Sequence, residues 1–138
     1  MKKIILISFI LLSGCSNDSY TNTIHIVPEN FEGTLTATYN VDGAPALEKE
    51  KGFSVIPYND AGFYETSTSD MEYGTVNDKF YYEINNKRIP ISEECIFYIS
   101  TGSAPGDNNK RYPQSHIAIT NNCSKDFQMN GPDEFIFP

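Results

Sequence analysis

The chain has 138 residues, with 10 Lys plus Arg against 18 Asp plus Glu and a formal net charge of −8. Loss of Lys2 and Lys3 with a cleaved leader takes the charge to −10, and among the remaining basic residues only Lys87-Arg88 and Lys110-Arg111 are adjacent. A surface of that kind excludes attraction to phosphate backbones, so no nucleic-acid partner is expected. Hydrophobic residues at 39%, with nine Tyr and nine Phe, indicate a folded globular domain rather than disorder, and the length suits one such domain.

The chain opens on a leader. Lys2 and Lys3 precede an apolar run from Ile4 to Leu12 broken only by Ser8, and Ser13-Gly14-Cys15 follows. The run is less than half of the roughly 20 residues that a helix needs to cross a bilayer, so it reads as a signal-peptide core and not as a span. Leu12-Ser13-Gly14-Cys15 resembles the bacterial lipobox, in which small residues before the cysteine admit a membrane peptidase and the thiol accepts a diacylglyceryl group. The resemblance implies cleavage after Gly14 and lipidation of Cys15, where each buried methylene contributes about 0.8 kcal/mol to a membrane anchor. The alternative is an ordinary secreted chain with an incidental Cys15. Ser16 follows, where lipoproteins retained at the inner membrane resemble one another in carrying Asp. The expected location is therefore the outer membrane of a Gram-negative cell, or the outer face of the membrane of a Gram-positive one. The expected organisation is a signal peptide over 1–14, lipidated Cys15 with a polar tether over 15–22, and a β-domain over 23–138.

Strand patterns follow from Thr23. Ile24 to Val27 ends at Pro28, and Thr34 to Val41 alternates, with Leu35, Ala37, Tyr39 and Val41 on one face and threonines on the other. Asp42-Gly43 signals a turn. Phe53 to Tyr58, Phe63 to Thr66, Lys79 to Ile84 and Lys87 to Ile91 read as further strands, the last two joined by Asn85-Asn86, and Ser67 to Asp78 reads as a polar loop. Cys95 to Ser100 and Ser115 to Thr120 form a further hairpin about Asn109, and Glu134 to Phe137 is placed to close a sheet. No window of about 11 residues has helical apolar periodicity. The expected fold is all-β, a single antiparallel β-sandwich of about seven to nine short strands.

Three cysteines less the lipidated Cys15 leave Cys95 and Cys123 in a compartment that permits disulfides. Pairing about Asn109 sets Cys95 opposite Cys123 and Ile99 opposite Ile119, within bridging range. The alternative is two buried free thiols. Metal binding is disfavoured, since there is neither CxxC spacing nor a nearby histidine pair.

Residues from about Ile24 to Ile91 resemble a family of small bacterial lipoproteins and secreted proteins of unknown function. The shared shape is His25-Ile26-Val27-Pro28-Glu29-Asn30-Phe31-Glu32-Gly33, then Asp42-Gly43-Ala44-Pro45, then Ile56-Pro57, then Gly62 to Ser67. The order of these turns also resembles transthyretin-like and carboxypeptidase-regulatory-like modules. The resemblance implies a β-sandwich and no activity, because turn residues carry it.

The inventory for chemistry is short. His25 and His116, the two histidines, both fall in strands, where a structural role is expected for each. Ser103 lacks the spacing of a nucleophile elbow, and a disulfide would remove the Cys123 thiolate beside His116. Glu93-Glu94 flank a turn next to Cys95, and Asp60, Asp70, Glu72 and Asp78 lack the spacing of a calcium loop. Consecutive Phe80, Tyr81 and Tyr82 must leave at least one ring on the outer side of a sheet, a candidate contact for a protein or glycan. No cofactor is implied. The leading reading is a non-enzymatic, membrane-anchored binding or structural module; the alternative is an acidic inhibitor or immunity lipoprotein directed at a basic enzyme such as a cell-wall hydrolase or toxin.

Overall fold

A computed structural model describes residues 19–134. The leader, Cys15 and residues 135–137 of the strand expected over Glu134 to Phe137 lie outside them. The organising strand is β2 (Thr23–Pro28), whose first five residues are all buried. Ile24 and Ile26 point to one side, and His25 and Val27 to the other, because successive side chains in a strand alternate. β2 is the centre of a five-stranded sheet, paired with β5 on one side and β8 on the other.

The remaining strands are β1 (Tyr20–Thr21), β3 (Gly33–Thr38), β4 (Glu48–Glu50), β5 (Phe53–Pro57), β6 (Phe63–Glu65), β7 (Thr75–Val76), β8 (Lys79–Ile84), β9 (Lys87–Pro90), β10 (Ile96–Pro105) and β11 (Arg111–Ile119). One sheet has the order β4-β5-β2-β8-β9, the other β10-β11-β3-β6, and β1 pairs with β7. The core between the two larger sheets is built on Val27, Leu35, Ile56, Ile117 and Ile119, each at most 2% exposed. Leu35, Ala37 and Tyr39 face it, as their alternation predicts. The Asn85-Asn86 turn joins β8 to β9 with both residues at positive φ, 50° and 61°, the geometry of a tight hairpin whose twist matches its strands.

The fold is the expected all-β sandwich, but its sheets are mixed rather than antiparallel. β2 pairs in parallel with both β5 and β8, and β3 pairs in parallel with β6. Parallel neighbours need a crossover. Here the opposite sheet supplies it: the chain leaves β2 for β3, returns at β4 and β5, crosses to β6 and returns again at β8, and two changes of layer restore the strand direction. Local hairpins (β4-β5, β8-β9, β10-β11) stay antiparallel, as does β11 against β3.

Three further expectations are corrected. The β10-β11 register sets Ile96 opposite Ile119 and Tyr98 opposite Ile117, with a bulge between Tyr98 and Ser100, so Ile99 does not face Ile119. The hairpin turns at Asp107–Asn109, one residue earlier than the expected centre, and Cys123 lies beyond the end of β11. Cys95 and Cys123 are nonetheless joined by a disulfide, Cα to Cα 4.3 Å, which ties the 3-10 turn Glu93–Cys95 to the turn after β11. A short helix, α1 (Lys125–Asn130), stands where none was expected. Ser124 caps it by accepting from Phe127 N–H at 3.0 Å, and Gly131 ends it at φ 77°. Finally, β1 falls within the stretch read as tether: Thr75 N–H donates to Ser19 C=O at 2.8 Å and Asn77 N–H to Thr21 C=O at 3.1 Å, so the folded domain begins before Thr23.

Candidate functional site

The parity that buries Val27 also turns the His25 imidazole into the sandwich, 3% exposed. Its register partner on β8 is Phe80, and the two rings stack at 4.3 Å with 8° between their planes. Tyr58, just past β5, stacks more loosely on His25 at 5.9 Å. The ring nitrogens are both engaged: Nε2 lies 3.3 Å from Asp78 Oδ2, and Nδ1 lies 2.9 Å from the Tyr58 hydroxyl. A carboxylate only accepts, so Nε2 donates to Asp78, and the Tyr58 hydroxyl is the partner of Nδ1.

Asp78 stands at the entry to β8, its side chain 8% exposed. Its other oxygen accepts from Thr23 N–H at 3.2 Å, and the Tyr98 hydroxyl lies near enough to the same carboxylate to feel its charge. One carboxylate thus gathers two donors from β2 and faces Tyr98 of β10, in the opposite sheet. Burial pushes the Tyr98 hydroxyl up from its ordinary pKa, and the charge of Asp78 adds to this. Burial likewise raises Tyr39, with Asp78, Glu72 and Asp70 contributing in that order. Tyr58, 7% exposed, is raised by burial first.

These groups surround a cleft of about 310 Å³ between the sheets. One wall is the 71–78 segment, with Met71, Glu72, Tyr73, Val76 and Asp78; the opposite wall comes from Tyr98, Thr101, Ser115 and Ile117. The segment is held by the N-terminal residues. Beside the β1-β7 pairing, Asn22 N–H donates to Glu72 Oε2 at 2.7 Å and Asn77 Nδ2 donates to Asn22 Oδ1 at 2.7 Å. A Cβ on Gly74 would strike the Ser19 carbonyl, so glycine there permits the close approach.

The sequence candidates distribute unevenly about this cleft. His25 and Asp78 meet in it. His116 lies at its edge, but on β11 Ile117 faces the core, so the imidazole is on the opposite face, where Nδ1 lies 3.2 Å from Thr36 Oγ1; burial lowers its pKa from the usual 6.5. Asp70 accepts from the Tyr73 hydroxyl at 2.9 Å, and Glu72 accepts from Lys49 at 3.2 Å in an exposed pair. Asp60 sits apart, in the turn before β6, and Ser103 accepts from Arg111 Nε at 2.9 Å far along the β10-β11 hairpin. Glu93 and Glu94 form the turn that ends at Cys95. Of the aromatic triplet, Phe80 is in the core and Tyr82 packs against it, its hydroxyl 3.4 Å from Asn121 Oδ1, which leaves half-buried Tyr81 on the outer face. Among the described residues, no group of three or more His, Cys, Asp and Glu is placed to hold a metal ion.

Sequence reasoning missed Tyr58, Tyr98 and Tyr39 as neighbours of His25. The alternation of His25 with Val27 signals an inward imidazole, but no local pattern pairs it with an aspartate at the end of a polar loop. A second hollow, about 430 Å³, lies over the outer face of the other sheet between Phe31, Phe63, Phe127 and Pro132. Its Glu32 carboxylate is already taken by Asn121 N–H at 2.8 Å, and it gathers no comparable set of polar groups.

A family model described as "Family of unknown function (DUF6843)" matches residues 19–127. The chain belongs to this family. The matched region spans every strand, the cleft and the disulfide. Among solved structures, the family member is similar to a candidate lipoprotein from Bacillus anthracis, with 39% identity and a TM-score of 0.79 over 83% of this chain and 81% of that one. No curated protein matches the chain. The similarities indicate no catalytic family.

Proposed function

We propose that this family member is a lipid-anchored protein of the bacterial cell envelope, held at the outer face of its membrane through Cys15, whose sandwich binds a small ligand in the cleft without transforming it. The observation that carries the reading is the convergence of β2, β10 and the 71–78 segment on Asp78 at the floor of a preformed hollow. Largely preformed concave sites with a few converging polar groups are the usual form of small-molecule sites. A binding role fits the chemistry better than catalysis. Both nitrogens of His25 are committed, and its partner Asp78 also holds the Thr23 N–H, which fixes the imidazole instead of freeing it as a base. The leader ending in Leu12-Ser13-Gly14-Cys15 supports the anchor, as does similarity to a candidate lipoprotein.

The test is a ligand-observed NMR screen of small polar and aromatic compounds against the protein and against Thr101→Trp, which fills the cleft from the exposed strand β10. Hits that compete with one another and vanish in the variant are expected; hits unaffected by Thr101→Trp remove the reading. Metabolic palmitate labelling of the wild-type chain and Cys15→Ser checks the anchor. Equal labelling of both would remove it.

A further inference from the structure

Resting on that reading of the cleft, we propose that its ligand is an organic ammonium ion, held by the aromatic faces of Tyr73 and Tyr98 over the carboxylates of Asp78 and Glu72. Among the described residues that line the cleft there are two carboxylates and neither Lys nor Arg. An adjoining hollow of about 310 Å³, which shares Val76, Asp78 and Tyr98, adds Glu93 and again no basic residue. Lys49 touches Glu72 but from outside, in a pair whose side chains are 58% and 36% exposed and therefore well screened. Anions are disfavoured by this field, and cations are drawn to it.

The apolar surface agrees. Tyr73, Val76 and Tyr98 are 56%, 54% and 44% exposed, among the few large hydrophobic side chains so uncovered, and all three border this one cleft. Isolated exposed apolar residues need no explanation, but a group gathered at the mouth of a hollow marks a contact surface. Tyrosine rings with carboxylates behind them suit an ammonium group on an apolar body, since the ring faces carry negative potential and the methyl or methylene groups are desolvated against them. Inside, the Tyr39 and Tyr98 hydroxyls are raised first by burial and then by the charge of Asp78. A strongly hydrated metal cation would gain little from such walls.

The test is isothermal titration of the full chain, in an uncharged glycoside detergent, with choline and with 3,3-dimethylbutan-1-ol, its uncharged isostere. Choline is expected to bind about tenfold more tightly than the alcohol, and Tyr98→Leu or Tyr73→Leu to weaken choline about fivefold while leaving the alcohol nearly unchanged. Asp78→Asn is expected to bring the two probes to parity; should it fail to fold, the two tyrosine variants decide. Equal binding of both probes, lost in Thr101→Trp, overturns the cation assignment and leaves the cleft as a binding site. Choline binding that ignores Tyr98→Leu and Tyr73→Leu overturns the assignment by placing the ion elsewhere. Binding of neither probe overturns it too, and the compound screen then judges the cleft separately.

Discussion

His25 and Asp78, 53 residues apart in sequence, meet at 3.3 Å with side chains 4% and 8% exposed. Removing one partner of such a contact costs more than the bond itself, because the other is left desolvated and unpaired. Asp78→Ala strands two donors at once, from Thr23 and His25. It is expected to lower stability by about 2 to 4 kcal/mol in urea denaturation. His25→Phe preserves the stack on Phe80 and leaves Asp78 its Thr23 donor, and the Tyr58 hydroxyl that it strands is a neutral group, so it should cost less. The reverse ranking would mean that the imidazole, and not the carboxylate, organises the cleft.

The same pair marks how far the sequence reaches. Alternation is a local signal, and it placed Leu35, Ala37 and Tyr39 on the core face; the Asn85-Asn86 turn is local too, and joins the hairpin expected of it. The parallel pairing of β2 with β5 and β8 is decided by which layer the chain enters at each crossing, and no residue of β2 encodes that. Asp78 becomes a partner of His25 through those crossings alone, so the site was not legible although both residues were. The helix α1 has a different cause. Ser124 and Gly131 are ordinary capping signals, but six residues are too few to display an apolar period.

Two glycines separate steric demand from backbone strain. Gly43 has φ 79° with open space where a Cβ would lie, whereas at Gly62, with φ 83°, a Cβ would sit 2.8 Å from the Thr34 carbonyl and against the Phe31 ring. Gly43→Ala is expected to cost about 1 kcal/mol and Gly62→Ala about 2 to 4 kcal/mol, the excess being the collision at the β3-β6 edge. Thermal or urea unfolding of the two variants measures the difference. Equal losses would mean that the Phe31 ring moves aside freely.

Stability should have a plateau bounded by different groups at its two ends. Tyr39, Tyr58 and Tyr98 are all raised above 10.0, chiefly by burial, so the folded chain holds protons that the unfolded chain releases. Their contribution is complete below pH 10 and declines as pH rises through the folded values. His116 is lowered from 6.5 by burial, so its contribution is present above pH 6.5 and is lost as pH falls through the folded value. Phenolate absorbance should accordingly rise in two stages, the later one coinciding with loss of the sheet signal in circular dichroism. A single smooth titration with the fold intact would contradict the burial of these three hydroxyls.

The disulfide reinforces a junction where Thr120 N–H donates to Cys95 C=O and Ser124 N–H to Glu94 C=O, both at 3.0 Å. It closes 28 residues of sequence separation, and in the chain-entropy model a loop of that size contributes about 3.5 kcal/mol. Its local effect is more diagnostic. A six-residue helix has no stability of its own in water, and α1 rests on the Glu93–Cys95 turn and on β10, with Gly131 against the Phe97 ring. Cys123 enters the chain just before the Ser124 cap, so the bond fixes where the helix begins. Cys95→Ala with Cys123→Ala is expected to lower global stability by about 2 to 5 kcal/mol. In hydrogen exchange, protection at Lys125–Asn130 should vanish well before that of Thr23–Pro28, which is paired on both sides in the centre of its sheet. Two alkylatable thiols in protein never exposed to reductant, or helix protection unchanged in the double variant, would mean that packing alone holds α1 against the sandwich.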